Sequence, residues 1–253
     1  MMKKRLIAIL LTVCLAAAIC VVPVMAHGHH GHHVTGRPVF VYKGNSASAF
    51  VGPFSRTLPF TDVEITDWYV DAVRFVYHED LMKGVSVTEF KPEEGLTRAQ
   101  AAQILYNMVS CPGAAPAEFS DVAATDWFED AVGWAASVGI ITGYEDGTFR
   151  PNELVTREQI VTMLHRFAGY REVDRYYVTK LEAYDDCDSI GAWAFASMQW
   201  AAAEDLLNDS ADLLRPKDTA TRAEVAQLLW NYCKAVANSA TFFTPSNWII
   251  RGR

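Results

Sequence analysis

Three Thr-Arg pairs recur along this chain: Thr97-Arg98, Thr156-Arg157 and Thr221-Arg222. Each threonine stands five residues after a proline, and a basic residue precedes each proline: Lys91-Pro92, Arg150-Pro151 and Arg215-Pro216. The arginines are 59 and 65 residues apart. A guanidinium is planar and offers paired donors that meet a carboxylate with two parallel hydrogen bonds, which lysine cannot reproduce. Three residues after each threonine stands Gln100, Gln159 or Glu224. That is the spacing of a capping box, in which the threonine oxygen takes a free amide and the Gln or Glu side chain returns to the threonine amide. Each arginine is therefore predicted in the first turn of a helix, where free amides favour an anion and disfavour a cation. A cation repeated at that place needs a partner. It is either an anionic ligand or a nearby Asp or Glu that pins the loop.

A second cluster with chemical potential is "HGHHGHH", which contains His27, His29, His30, His32 and His33. Imidazoles spaced by glycine can wrap nickel, copper or zinc weakly. No Cys, Asp or Glu completes a closed site there, so a plain tail with opportunistic affinity is the other reading. No other cofactor is expected. The chain has no GxSxG, HExxH or Walker motif. Asp62, Asp121 and Asp186 recur at matched places, as loop or cap residues would and as a single catalytic pair would not. His78 and His165 stand alone on predicted helices. The expectation is a protein that is not an enzyme.

The elements that position these residues also repeat. "FTDVEITDWYVDAV", "FSDVAATDWFEDAV" and "YDDCDSIGAWAFAS" open three units. Trp68, Trp127 and Trp193 are each followed seven residues later by Phe75, Trp134 and Trp200. Ala131, Trp134, Ala135 and Val138 form one helical stripe. Asp67 and Asp126 stand where they would cap that first helix, and Ala192 replaces them in the third unit. The capped second helices carry apolar residues in register, among them Leu105, Leu164 and Leu229. A two-helix unit cannot bury its stripe alone, so the three are expected to share one helical core.

The start, "MMKKRLIAIL LTVCLAAAIC VVPVMA", has three basic residues and then 17 uncharged ones, Leu6 to Val22. It reads as a signal peptide over 1–26, with an uncleaved membrane anchor as the alternative. The mature chain would carry 19 basic and 30 acidic residues, a net charge of −11 that argues against nucleic acid and anionic lipid as partners. Of the remaining cysteines, Cys111, Cys187 and Cys233, the count leaves room for one bridge, Cys187 with Cys233. Residues 27–59 are the His-rich tract and a linker, the repeats are 60–110, 119–169 and 184–234, and 235–253 is an apolar tail.

The combination Phe-Ser/Thr-Asp-Val, Asp-Trp, "GYEDGTFRP" and Thr-Arg-x-Gln/Glu resembles the S-layer homology (SLH) domain family, over about Phe60 to Cys233. The resemblance implies an all-α fold of three helix-loop-helix repeats packed as a pseudo-threefold bundle. It implies a secreted protein of the bacterial cell wall or S-layer, attached to secondary cell-wall polysaccharide through a pyruvylated sugar held in grooves between repeats. Carried across, Arg98, Arg157 and Arg222 are the anion contacts, with Trp68, Trp127 and Trp193, and Gly84 and Gly143, as further ligand-binding residues. From the residues themselves the tryptophans read first as core, since a Trp starting a buried helix is more often core, and second as a ligand wall; Gly143 reads as room for a ligand beside the backbone. Asp146-Gly147 is a turn pair and Phe149 is expected to be buried. Repeat one has "GVSVTEFKP", and repeat three has Asp209 and Leu214 where glycine and the aromatic stand, so repeat two's groove and Arg157 rank first. The other function class is a surface module for an unidentified protein partner or for peptidoglycan itself. The export reading predicts a mature N-terminus at His27; mass spectrometry of the native protein should find it, and an intact Met1 in the envelope fraction would favour the anchor.

Overall fold

The three capping boxes form. In the computed structural model, which describes residues 57–173, 181–207 and 212–241 with side chains to 237, the Thr97 oxygen accepts from the Gln100 amide at 3.2 Å. The Gln100 side chain accepts from the Thr97 amide at 3.0 Å. The same reciprocal pair joins Thr156 with Gln159 and Thr221 with Glu224. They start α2 (Arg98–Asn107), α4 (Arg157–Tyr170) and α6 (Arg222–Thr241). The first helices of the repeats are α1 (Val70–His78), α3 (Glu129–Ser137) and α5 (Phe195–Ala203). The fold is all-α, with isolated bridges and no named strand among the described residues. The histidine tract, the signal-peptide segment, most of the linker, Asp209 and the end of the tail lie outside the described residues.

Helices pair between repeats. α2 of repeat one packs on α3 of repeat two, α4 packs on α5, and α6 of repeat three returns to α1 of repeat one. This closes a pseudo-threefold bundle. The predicted stripes fill its core: Leu105, Leu164 and Leu229 are buried, as are Phe75, Trp134 and Trp200. His165 is an interhelix contact, with its Nδ1 3.0 Å from the Ser197 oxygen and its ring against Trp200.

Two expectations are corrected here. Asp67 and Asp126 do not cap the first helices, whose N-caps Tyr69 and Phe128 make no side-chain cap bond. Their carboxylates instead accept from the Glu64 and Ala123 amides, at 2.7 and 2.8 Å, and tighten the turn leading in. Cys187 and Cys233 are both free thiols. Cys187 lies on a short 3-10 turn (Cys187–Ser189) against Asp188, and burial pushes the Cys233 thiol up to about 12.

The matched acids carry the loops, as expected. Asp121 accepts from the amides of Phe149 and Arg150, both at 2.7 Å. Asp62 does this for Phe90 and Lys91, and Asp186 for Leu214 and Arg215. The basic residues have φ of +56° at Lys91, +58° at Arg150 and +50° at Arg215. A non-glycine residue before proline resists that conformation, and the two-amide clamp holds it. Gly147 has φ +78° in the predicted turn, and Phe149 is buried. Replacing Asp121 by Ala strands two amides beside a strained residue. A fall of roughly 3–8 °C in the thermal midpoint by circular dichroism is expected, with Asp121→Asn in between.

Candidate functional site

The arginines of the three Thr-Arg pairs all lie at the first position of their helices and are buried, with exposures of 7% for Arg98, 5% for Arg157 and 5% for Arg222. Each crosses to the loop of the next repeat. Arg98 donates from Nε to the Phe149 carbonyl at 2.8 Å and from Nη2 to the Thr142 carbonyl at 3.4 Å. Arg222 makes the equivalent bonds to Phe90 at 2.7 Å and Lys83 at 2.6 Å, running from repeat three to repeat one. Arg157 donates from Nε to the Leu214 carbonyl at 2.9 Å. The Arg98 guanidinium also lies over the rings of Tyr144 and Phe149, at 4.9 and 4.7 Å from their centroids, and Arg222 over Phe90 at 4.6 Å.

The helix-start amides do not await an anion. The Arg98 and Ala99 amides donate to the carbonyls of Glu153 and Pro151, at 2.9 and 3.0 Å. The Arg157 and Glu158 amides go to Asp218 and Pro216, and those of Arg222 and Ala223 to Glu94 and Pro92. With the capping box, every free amide of these first turns has an internal acceptor. An external anion is therefore left to the guanidinium.

The three arginines differ in charge pairing. Arg157 meets Glu224 at 3.1 Å, both side chains being nearly buried, and Arg215 meets the same carboxylate oxygen. Among the described residues no carboxylate forms an ion pair with Arg98 or Arg222. Burial lowers the pKa of both below the usual arginine value, and outweighs the opposing pull of Tyr144, Glu153 and Asp121 on Arg98 and of Glu94 and Asp62 on Arg222. Among the described residues, pairing with an acid is thus seen for Arg157 and not for Arg98 or Arg222. The pairing of Glu224 with Arg157 is what sequence reading missed. Its signal was present, as the single carboxylate among the three capping-box partners.

The tryptophans are not core. Trp68, Trp127 and Trp193 are 53%, 63% and 54% exposed. They sit in the turn before each helix, so the following residue, Tyr69, Phe128 or Ala194, takes the buried place. Trp68 and Trp127 meet those neighbours edge-on, and neither bonds to an arginine. Gly84 and Gly143 are explained by packing: a Cβ there would stand 2.5 Å from the Phe60 ring and 2.4 Å from the Phe119 ring. Among the described residues no group of three His, Cys, Asp or Glu is placed to hold a metal, and no helix is long and apolar enough to cross a membrane.

This geometry defines a class: a bundle of three helix-loop-helix repeats, each of which sends an arginine into the loop of the next. The chain belongs to the S-layer homology domain family, which matches residues 59–102, 118–161 and 183–226. Over 181 residues it is 30% identical to "Endoglucanase" of a Bacillus species, covering 70% of this chain and 19% of that protein. It is 32% identical over 112 residues to "Surface-layer 125 kDa protein" of Lysinibacillus sphaericus, covering 42% of this chain and 10% of that protein. It is 27% identical over 161 residues to "Cellulosome-anchoring protein" of Acetivibrio thermocellus, covering 60% and 35%. The chain thus spans a small part of each relative, and their activities are not carried over.

The Glu224 pairing has a pH signature. Burial alone would raise this carboxyl, but the Thr221 amide, Arg157 and Arg215 outweigh it and hold its pKa below the ordinary 4.5. A depressed folded-state pKa contributes stability that is present above about pH 4.5 and lost as pH falls through the lower folded value. From pH 5 to pH 3 the thermal midpoint of the parent should fall more steeply than that of Glu224→Gln, and equal slopes would remove Glu224 from the pairing.

Proposed function

We propose that this protein is an anchoring module of the bacterial cell surface that binds secondary cell-wall polysaccharide through a carboxylate-bearing sugar, such as a pyruvate ketal, in its inter-repeat grooves. Family membership supports attachment to the cell envelope, as do relatives named for the surface layer and for anchoring. The observation that carries the ligand chemistry is the pair Arg98 and Arg222. Each is a buried guanidinium held by backbone carbonyls and, among the described residues, in no ion pair. Carbonyls fix such a cation in place without neutralising it, and a sugar carboxylate would complete it with charge-assisted bonds. The exposed faces of Trp68, Trp127 and Trp193 suit a sugar ring.

Titration of purified wall polymer, with circular dichroism as the folding control, tests this. Arg98→Ala and Arg222→Ala should each weaken binding, roughly ten- to hundredfold where that groove dominates. Arg98→Lys should recover only part, because the fork is gone. Trp127→Ala, a surface change that spares the bundle, should also weaken binding if the tryptophans wall the ligand. Equal binding to peptidoglycan stripped of its polymer, unaffected by these changes, would favour the peptidoglycan or protein-partner reading.

A further inference from the structure

The three capping boxes close identically but leave different atoms behind. In each, one oxygen of the third helical residue is used by the threonine amide: Gln100 Oε1 at 3.0 Å, Gln159 Oε1 at 3.1 Å and Glu224 Oε2 at 2.9 Å. The second head-group atom remains. In Glu224 it is a carboxylate oxygen, Oε1, and it accepts from Arg157 of the preceding repeat at 3.1 Å and from Arg215. In Gln100 and Gln159 it is an amide nitrogen, which is a donor. A donor cannot pair with a guanidinium.

We propose that only two of the three grooves take an external anion, those of Arg98 and Arg222, and that Glu224 closes the third by occupying Arg157. This rests on the anion-binding reading of the grooves and assigns their number and the residue that decides it. By the threefold equivalence, Gln159 stands to Arg98, and Gln100 to Arg222, as Glu224 stands to Arg157. Each of these two grooves then gathers a guanidinium and an amide, both donors; Arg98 and Arg222 are more than nine-tenths buried, and among the described residues neither forms an ion pair, the carboxylates that act on them (Glu153 and Asp121, Glu94 and Asp62) doing so without an ion-pair contact. Such a cluster is completed by an acceptor with negative charge from outside the chain. In the third groove the acceptor is built in, and a sugar carboxylate would have to displace Glu224 from two arginines.

The test uses the full chain and the pyruvate anion as probe. The Nε–Hε signals of the three arginines are followed by nitrogen-15 NMR and assigned with single Arg→Lys variants. Millimolar pyruvate should shift Arg98 and Arg222 saturably and leave Arg157 in place. Glu224→Gln should bring Arg157 into the response and raise the sites per chain from two to three. It keeps the capping box, because glutamine already fills that role at Gln100 and Gln159. The reciprocal change, Gln159→Glu, should weaken the Arg98 response about tenfold or more, and it decides the matter if Glu224→Gln does not fold. A parent in which Arg157 responds like the others, or in which a folded chain shows no response at Arg98 and Arg222, overturns the proposal. A parallel titration with wall polymer separates the two ideas: two responsive arginines without polymer binding would sink the polysaccharide reading and leave the two-groove assignment standing.

Discussion

At the centre of the bundle, three main-chain hydrogen bonds form a closed ring. The Leu96 amide donates to the Ala220 carbonyl at 3.0 Å, Ala220 to Val155 at 2.9 Å, and Val155 back to Leu96 at 2.8 Å. All three residues are buried, and each immediately precedes the threonine of a capping box. Buried backbone polar groups must be paired, and here each pair lies in another repeat. No repeat can therefore satisfy its own helix start. The first two amides of α2 need the loop of repeat two, those of α4 need repeat three, and those of α6 need repeat one. Three is the number at which this chain of dependence closes on itself, and the α6–α1 contact closes it.

The ring also explains how an arginine is tolerated at a helix start. The loop carbonyls that take the first amides offset the positive end of the helix dipole, and further carbonyls of the same loop receive the guanidinium. The cation is thus part of the joint between repeats before it is anything else. Arg222 spans the largest sequence separation, from repeat three to Phe90 and Lys83 in repeat one. A structural arginine that is fully neutralised would be only a clamp. Arg157 has an ion pair with Glu224, whereas Arg98 and Arg222 are held by carbonyls and aromatic rings.

Much of this was legible in the sequence because it is local. Capping boxes, helical stripes and the Asp-Gly turn depend on spacings of a few residues, and they stand where the pattern put them. The matched aspartates were legible as loop residues because they recur once per unit. What the sequence did not show depends on the next repeat. The pairing of α2 with α3, the carbonyls that fill the helix-start amides, and the Glu224–Arg157 contact all join residues far apart in the chain. The pattern puts the tryptophans in the core first, because a large aromatic beside a helix usually faces inward. Here the turn tied by Asp67 or Asp126 places the tryptophan before the first helical position, and its neighbour is the one that turns in.

The asymmetry among repeats gathers at one joint. Glu158 is buried beside Lys217 and accepts from the Gly191 amide at 2.9 Å, while the same helical position holds Ala99 in repeat one and Ala223 in repeat three. Together with Arg157, Arg215 and Glu224, this places two nearly buried carboxylates and three cations between repeats two and three. A buried network of this kind costs desolvation and returns it only when every charge is matched. The other two joints lack these acids and rely on carbonyls and on the rings of Phe149, Tyr144 and Phe90. Repetition supplied three equivalent positions, and substitution at the second and third residues of the capped helices divided them. One joint pairs its arginine with an acid of the next repeat, and at the other two the arginine is held by carbonyls and aromatic rings.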